Sequence, residues 1–196
     1  MERTKPSITK TNEPIEEPFR VFPTGTILTN DPSFTAWGWA ILTWEGEIVD
    51  CGCIKTAPEQ KKRRIRKSDD TGRRISDIVK TLLNLIQVYN VRYILSESPH
   101  GSQNASAAVM IGATAGILQT LADTLNIGIE WYSEGDSKKN ALGKLSAAKN
   151  EMIVAMDKVY KVHWKKVKYF DEAVADSLAV HYVATKQSST LKLFKK

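Results

Sequence analysis

The sequence predicts an α/β domain with a mixed five-stranded sheet and helices on both faces. Three observations support this fold class. The chain has 196 residues and is 42% hydrophobic, which is enough for one buried core. Three strand patterns come first, and two more strands then alternate with helical patterns. A strand meander followed by strand–helix units gives a mixed sheet covered on both sides.

The strands are predicted from short apolar runs bounded by turn residues. The first run ends at Asp31, and Glu45 with Gly46 forms the turn between the second and third runs. Two of these apolar runs end in an acidic residue. Asp31 ends the first strand and Glu97 ends the fourth. The five predicted strands are 25–31, 37–44, 47–54, 91–97 and 127–132.

The helices are predicted from apolar spacing. Ile75, Ile78, Val79 and Leu82 follow the i, i+3, i+4, i+7 pattern of an amphipathic helix over 72–89. A largely apolar stretch predicts a helix packed against the sheet. The remaining predicted segments are a helix at 105–125, a polar loop at 133–144, and helices at 145–160 and 171–186.

We expect three regions along the chain. Residues 1–24 are polar and contain four prolines, so they are expected to form a flexible arm. Residues 25–188 form the folded domain, and 189–196 a frayed basic tail. The start has no apolar core of a signal peptide, and no run reaches the ~20 apolar residues of a membrane span. Cys51 and Cys53 are too few for a disulfide framework or a four-ligand zinc site, which indicates reduced thiols.

The positive charge is concentrated in one segment. Residues 55–74 hold nine basic and three acidic side chains, and this balance of +6 equals the net charge of the whole chain. A solvated charged loop is one interpretation. The other is a loop that binds the phosphates of nucleic acid. On the second interpretation the contacts come from the cations of the 61–67 stretch: Lys61, Lys62, Arg63, Arg64, Arg66 and Lys67.

We expect several carboxylates to meet at one end of the predicted sheet. Asp31 and Glu97 end strands, where open sheets of this type place their sites. Glu172 and Asp176 lie four residues apart, on one face of the last helix. Carboxylates brought together repel one another, and a divalent cation relieves that repulsion. Mg²⁺ prefers oxygen ligands, and two such ions can promote phosphodiester hydrolysis.

Four segments in order then carry a family resemblance. They are Asp31-Pro32 with Gly38-Trp39-Ala40; Glu97 with Asn104, Ala108, Gly112 and Gly116; Lys138 with Gly143, Ala147 and Lys149; and Asp176 within AVADSLAVHY. On these segments the chain resembles the RuvC-like Holliday junction resolvases of the RNase H-like superfamily. Departures from the family pattern fall at Ser33, Trp37 and Leu145. Ala173 stands where bacterial members have a carboxylate three residues before Asp176.

The resemblance implies a homodimer that cuts four-way DNA junctions with paired nicks, using two Mg²⁺ ions for which Mn²⁺ can substitute. It implies an RNase H-like fold and a protein of the cytoplasm in a bacterial or phage-infected cell. Because Ala173 replaces a carboxylate, Glu172 is assigned as the third acidic ligand, with Asp171 in reserve. The implied catalytic residues are Asp31, Glu97, Glu172, Asp176 and Lys149.

The resemblance also implies DNA contacts outside the acidic cluster. Lys138 and Lys144 lie in the region after the fifth strand, where phosphate contacts are useful. Asn104 has two interpretations, a contact to the junction backbone or a cap for the helix that begins near Ala105. That helix is apolar on more than one face, so we expect it to contribute to the dimer interface.

Two other classes of function stay open on the sequence. One is a different nuclease of the same fold, acting on RNA–DNA hybrids or transferring strands, because the chemistry at phosphorus is the same. The other is a DNA-binding module whose acidic site has decayed. Metal-dependent cleavage of a four-way junction, compared with linear duplex and hybrid, separates the three.

Overall fold

The structure is a computed structural model that describes residues 24–59, 65–146 and 148–194. These residues form five strands and six helices. The strands are β1 (Thr26–Asp31), β2 (Ala36–Leu42), β3 (Ile48–Lys55), β4 (Val91–Glu97) and β5 (Gly128–Tyr132). The helices are α1 (Lys67–Val88), α2 (Ala105–Leu125), α3 (Glu134–Leu142), α4 (Lys149–Asp157), α5 (Lys168–Gln187) and α6 (Ser189–Phe194). The predicted arm, apart from Thr24, lies outside the described residues.

The strands form one mixed sheet in the order β3-β2-β1-β4-β5. The first three strands pair antiparallel, and β4 and β5 add in parallel to β1. Alternate residues of β1 face opposite sides, so Leu28 packs with α1 and α2 whereas Ile27 packs with α5 and α6. The prediction of a mixed five-stranded sheet with helices on both faces is confirmed.

Helix α5 lies directly on the strands and carries one side of the core. Val174, Leu178 and Val183 are fully buried along it. It comes so close to β2 that a Cβ on Gly38 would lie 1.9 Å from the carbonyl oxygen of Ala173. Only a glycine permits this approach, which brings the α5 residues beside the end of β1.

The structure makes three kinds of correction to the predicted segments, namely to the bounds of helices, to one loop and to the tail. Helix α1 begins at Lys67 rather than at residue 72, because Asp70 in its first turn pairs with Arg73 at 2.7 Å and Arg73 also pairs with Asp77 at 3.2 Å. Lys67 therefore belongs to a helix and not to the basic loop. The predicted helix at 145–160 is shortened to Lys149–Asp157.

The second correction is the predicted polar loop at 133–144, most of which is helix α3. Ser133 caps that helix by accepting a hydrogen bond from the Asp136 amide at 3.0 Å, and Gly143 ends it at φ 72°. The third is the tail, because 189–194 form α6 instead of fraying. Leu191 is buried there, and Phe194 lies 4.4 Å from Trp44 between ring centroids.

Helix α2 is covered only in part. Ile117, Leu118 and Leu121 in its second half are buried in the core, whereas Val109 in its first half is 64% exposed. By length and composition alone, α2 is the one helix of the described part that qualifies as a candidate membrane span, with 28% of that window buried. Its second half packs as the core helix of a globular domain does.

Candidate active site

Three parallel strands end side by side, and each is followed by or ends in an acidic residue. Asn30 pairs with Ser96, so Asp31 and Glu97 end neighbouring strands at the same edge of the sheet. Glu97 pairs with Tyr132 of β5, and Glu134 follows two residues later as the first residue of α3. The sheet topology therefore brings three carboxylates to one edge.

These carboxylates line a cavity of about 250 Å³. Asp176 reaches the same cavity from α5, the helix that Gly38 allows to sit close to the sheet. The ammonium of Lys138 enters it from α3. The full lining is Asp31, Ser33, Glu97, Glu134, Ser137, Lys138, Ala148, Met152, Asp176 and Ala179.

The end of β1 is held in place by a buried side chain. Trp37 is fully buried in β2, and its indole donates a hydrogen bond to the Asn30 side chain at 3.0 Å. Asn30 directly precedes Asp31. A tryptophan at this position, where the resemblance expects threonine, thus secures the strand that presents the first carboxylate.

Negative charge is crowded around Glu97. Burial, together with the negative charges of Asp31, Glu134 and Asp176, raises the pKa of Glu97 to about 8, and the charge of Lys138 opposes that rise only in part. A hydrogen bond to Glu134 raises the pKa of Lys138 in turn. The cavity therefore favours positive charge.

The donor set fits a hard divalent cation. Carboxylate oxygens from several elements are the ligands that Mg²⁺ and Mn²⁺ take in proteins. The buried hydroxyl of Ser137, which lines the same cavity, has no hydrogen-bond partner among the described residues. A hydroxyl in that position suits a cavity that receives a ligand with polar atoms.

The predicted acidic residues divide into two groups. Asp31, Glu97 and Asp176 come together as expected. Among the described residues, Glu172 is half-buried and is not one of those that line the cavity. Asp171 is buried, and its carboxylate accepts a hydrogen bond from the Lys165 amide at 3.0 Å, so it holds the entry to α5.

Glu134 was not among the predicted site residues, because the polar pattern of 133–144 predicted a loop. Ser133 followed three residues later by Asp136, with Gly143 beyond, is a start-and-stop signal for a short helix. Recognising that signal would have put Glu134 in a first helical turn directly after a parallel strand.

The predicted DNA contacts occupy varied surroundings. Lys138 pairs with Glu134 inside the cavity, and Lys144 pairs with Glu151 at 2.6 Å. Asn104 caps α2 by accepting a hydrogen bond from the Ala107 amide at 3.1 Å, as one of its two interpretations expected. Arg66 is exposed and pairs with Asp69.

The remaining predicted residues lie at the ends of helices, on β3 or in the basic segment. Lys67 is exposed at the start of α1, and Lys149 is the first residue of α4, with its backbone alone described. Cys51 and Cys53 are free thiols, as expected. Outside the described residues lie Lys61, Lys62, Arg63 and Arg64.

The mixed sheet with an acidic cavity at its strand ends is the arrangement that the resemblance to RNase H-like nucleases implies. The family model for crossover junction endodeoxyribonuclease RuvC matches residues 27–183. This chain belongs to the RuvC family of endonucleases, whose members depend on metal ions.

Individual relatives agree with this assignment. The chain is 25% identical over 154 residues to crossover junction endodeoxyribonuclease RuvC of Ehrlichia canis strain Jake, covering 78% of this chain and 93% of that one. It is 28% identical over 162 residues to the RuvC of Orientia tsutsugamushi strain Ikeda, covering 81% and 94%. The named relatives are bacterial proteins.

Two solved structures share the fold. RuvC of Thermus thermophilus in complex with a Holliday junction substrate superimposes with a TM-score of 0.65 at 16% identity, covering 82% of this chain and 93% of that one. The yeast mitochondrial Holliday junction resolvase Ydc2 gives 0.59 at 12% identity, covering 89% and 83%.

Proposed function

We propose that this protein cuts four-way DNA junctions by metal-dependent phosphodiester hydrolysis, making paired nicks as a homodimer. The observation that carries the proposal is the single cavity lined by Asp31, Glu97 and Asp176. Membership of the RuvC family supports the choice of a branched DNA substrate, because a solved relative is described in complex with a Holliday junction.

The charge of the cavity supports two Mg²⁺ ions, for which Mn²⁺ can substitute. Four lining carboxylates and one lysine give a formal charge of minus three. One divalent ion would leave minus one, which repels a phosphate, whereas two leave plus one, which attracts it. When bound, such ions activate water and stabilise the leaving oxygen.

The residues of the chain then have distinct tasks. Asp31, Glu97 and Asp176 hold the ions, and Glu172 stays the sequence-based candidate for a further ligand. Lys138, half-exposed beside the carboxylates, is placed to meet a phosphate oxygen as a point charge. Lys149 begins α4 next to Ala148 of the cavity wall, and we retain it as a catalytic candidate.

DNA binding would extend beyond the cavity. Arg66 is exposed where the basic segment enters α1, and Lys144 is half-exposed beyond α3. Surface ion pairs of this kind are weak, so phosphates can compete for both side chains. We propose that Arg66 and Lys144 act with the other cations of the 61–67 stretch on DNA in the cytoplasm.

The homodimer is proposed through the first half of α2. A four-way junction has twofold symmetry, and paired nicks need two active sites related by the same axis. Residues 105–113 are apolar over much of their surface and none of them is buried. A second copy of this helix would cover that surface and set the two cavities in a fixed relation.

The proposal is tested with synthetic substrates. Wild-type protein, Asp31→Asn and the surface control Asp123→Asn are incubated with a four-way junction, a linear duplex and an RNA–DNA hybrid, with and without Mg²⁺. We expect symmetric nicks in the junction only, lost in EDTA and in Asp31→Asn. Cleavage of the hybrid in preference to the junction would indicate a ribonuclease. Binding without any cleavage would indicate a decayed DNA-binding module.

A further inference from the structure

A histidine side chain lies close to two carboxylates of the acidic cavity. His100 lies in the loop after β4. One of its ring nitrogens, one carboxylate oxygen of Glu97 and one of Glu134 all lie within 4.8 Å of one another. The His100 Nε2 atom is 3.4 Å from Glu134 Oε2. Three donor atoms from three parts of the chain thus converge at one point.

The fold fixes two of these donors firmly. Glu97 is the last residue of β4, inside the parallel sheet, and its partner residue Tyr132 ends β5. Glu134 is held in the first turn of α3 by the Ser133 cap. The Ser98 amide also donates to the Tyr132 carbonyl at 2.6 Å, which ties the start of the His100 loop to β5.

A separate observation points to a ligand at this place. Ser137 lies one helical turn after Glu134, is 2% exposed and lines the cavity. Its hydroxyl lacks a hydrogen-bond partner among the described residues. Leaving a buried polar group unsatisfied is costly, so the Ser137 hydroxyl suits a bound group that supplies the missing partner.

The ion pair between Glu134 and Lys138 does not account for the cluster. It is an i, i+4 pair within α3, and its lysine side chain is 27% exposed. One ammonium offsets one of the four carboxylates that line the cavity. The other three lining carboxylates, Glu97 among them, exceed what one ammonium can offset.

We propose that Glu97, His100 and Glu134 form one divalent-cation site of this chain, with the Ser137 hydroxyl facing the coordinated group. The inference rests on the proposed function, since the cation would serve the same cavity, and it adds two ligands to that cavity. Two carboxylates and one imidazole favour Mn²⁺ over Mg²⁺, because Mg²⁺ prefers oxygen ligands and imidazole suits transition metals. This site should therefore discriminate between the two metals.

The test measures metal binding directly, without DNA. Mn²⁺ is titrated into the full chain and free ion is read by electron paramagnetic resonance, with Mg²⁺ affinity obtained by competition. The variants are His100→Gln, Glu134→Gln and Glu172→Gln, with His163→Gln as an exposed histidine control. His100 has a side chain that is 67% exposed, so its replacement leaves folding intact.

We expect Glu134→Gln to weaken Mn²⁺ binding by at least about tenfold, by analogy with the 10–100-fold losses seen when even the outer partners of a metal site are removed. His100→Gln should weaken Mn²⁺ binding by about tenfold and Mg²⁺ binding by less, so that the preference for Mn²⁺ falls. His163→Gln should match wild type. Loss of a site in Glu172→Gln but not in Glu134→Gln would overturn the proposal, as would unchanged binding in both His100→Gln and Glu134→Gln. Junction cleavage by wild type, measured separately, shows whether the proposed function fails independently.

Discussion

Replacing Glu97 by glutamine should stabilise the metal-free protein at alkaline pH while abolishing cleavage. The pKa of this carboxyl rises from 4.5 to about 8 on folding, through burial and the charges of Asp31, Glu134 and Asp176. The folded state therefore binds a proton more tightly than the unfolded chain does. By linkage, the free energy of unfolding of the wild type falls as pH rises from about 5 to 8.

The size of the effect follows from the pKa values. The rise from 4.5 to about 8 sets an upper limit of about 5 kcal/mol at pH 8 and above, at about 1.4 kcal/mol per pKa unit. Solvent that enters the cavity screens the charges, so we expect about 2–3 kcal/mol. The amide side chain in Glu97→Gln carries no charge at any of these pH values, so the variant should lack this loss. Below about pH 5 the two proteins should be nearly equal.

The assay is urea unfolding followed by tryptophan fluorescence between pH 5 and 9 in EDTA, then in Mg²⁺. Glu45→Gln, at an exposed carboxylate in the turn between β2 and β3, is the matched control and should follow wild type. Mg²⁺ should restore stability to wild type at pH 8, since a ligand that binds only the folded state stabilises it. Parallel pH curves for wild type and Glu97→Gln in EDTA would refute the idea that charge crowding at Glu97 prepares the cavity for cations.

Three further predictions follow from the site and its surroundings. Asp31→Asn and Asp176→Asn should each abolish junction cleavage and leave junction affinity near wild type, because affinity comes from Lys and Arg side chains on phosphates. If either variant cleaves at the wild-type rate at saturating Mg²⁺, the replaced residue is not a metal ligand. Val109→Glu should weaken the homodimer by at least about 2 kcal/mol, measured by light scattering, whereas Val154→Glu, at a similarly exposed position on α4, should not. A wild-type protein that is monomeric with and without junction DNA would contradict the proposed homodimer. Replacing the six cations of the 61–67 stretch by Gln or Ser should remove about three to four phosphate contacts, so the slope of log K against log salt should become shallower by about three. Binding to junction and to linear duplex should weaken alike. An unchanged slope would indicate a solvated loop.

The sequence was sufficient to predict the sheet and three of the four carboxylates that line the cavity. Strands were predictable because their apolar runs are bounded by turn residues, and Asp31 and Glu97 were identifiable as acids that end such runs. Asp176 was identifiable because it lies too far into α5 to act as an N-terminal helix stabiliser. These signals are local, so they can be read from neighbouring residues alone.

Local sequence signals could not predict which acidic residues of α5 face the ends of the strands. From the sequence, Glu172 or Asp171 could have joined Asp176 as a ligand from α5. Of the three, Asp176 lines the cavity, whereas the Asp171 carboxylate accepts a hydrogen bond from the Lys165 amide. Which helical residues face the strand ends depends on how α5 lies over the sheet. That packing is set by the contact between Gly38 and Ala173, residues 135 positions apart in the chain.

Glu134 shows how the parallel register alone can add a residue to a site. β5 pairs with β4 so that Tyr132 lies beside Glu97, and α3 begins only two residues after Tyr132. With so short a connection, the first helical turn has to lie above the end of β4, and its acidic residue has to face Glu97 and the His100 loop. The resemblance expects a carboxylate where Ala173 stands on α5, and Glu134 adds one negative charge to the same cavity from α3. If the charge of the cavity is what binds cations, the helix from which a carboxylate comes matters less than its distance to Glu97. Moving Glu134 away, by inserting one residue between Tyr132 and Ser133, should therefore weaken Mn²⁺ binding as much as Glu134→Gln does.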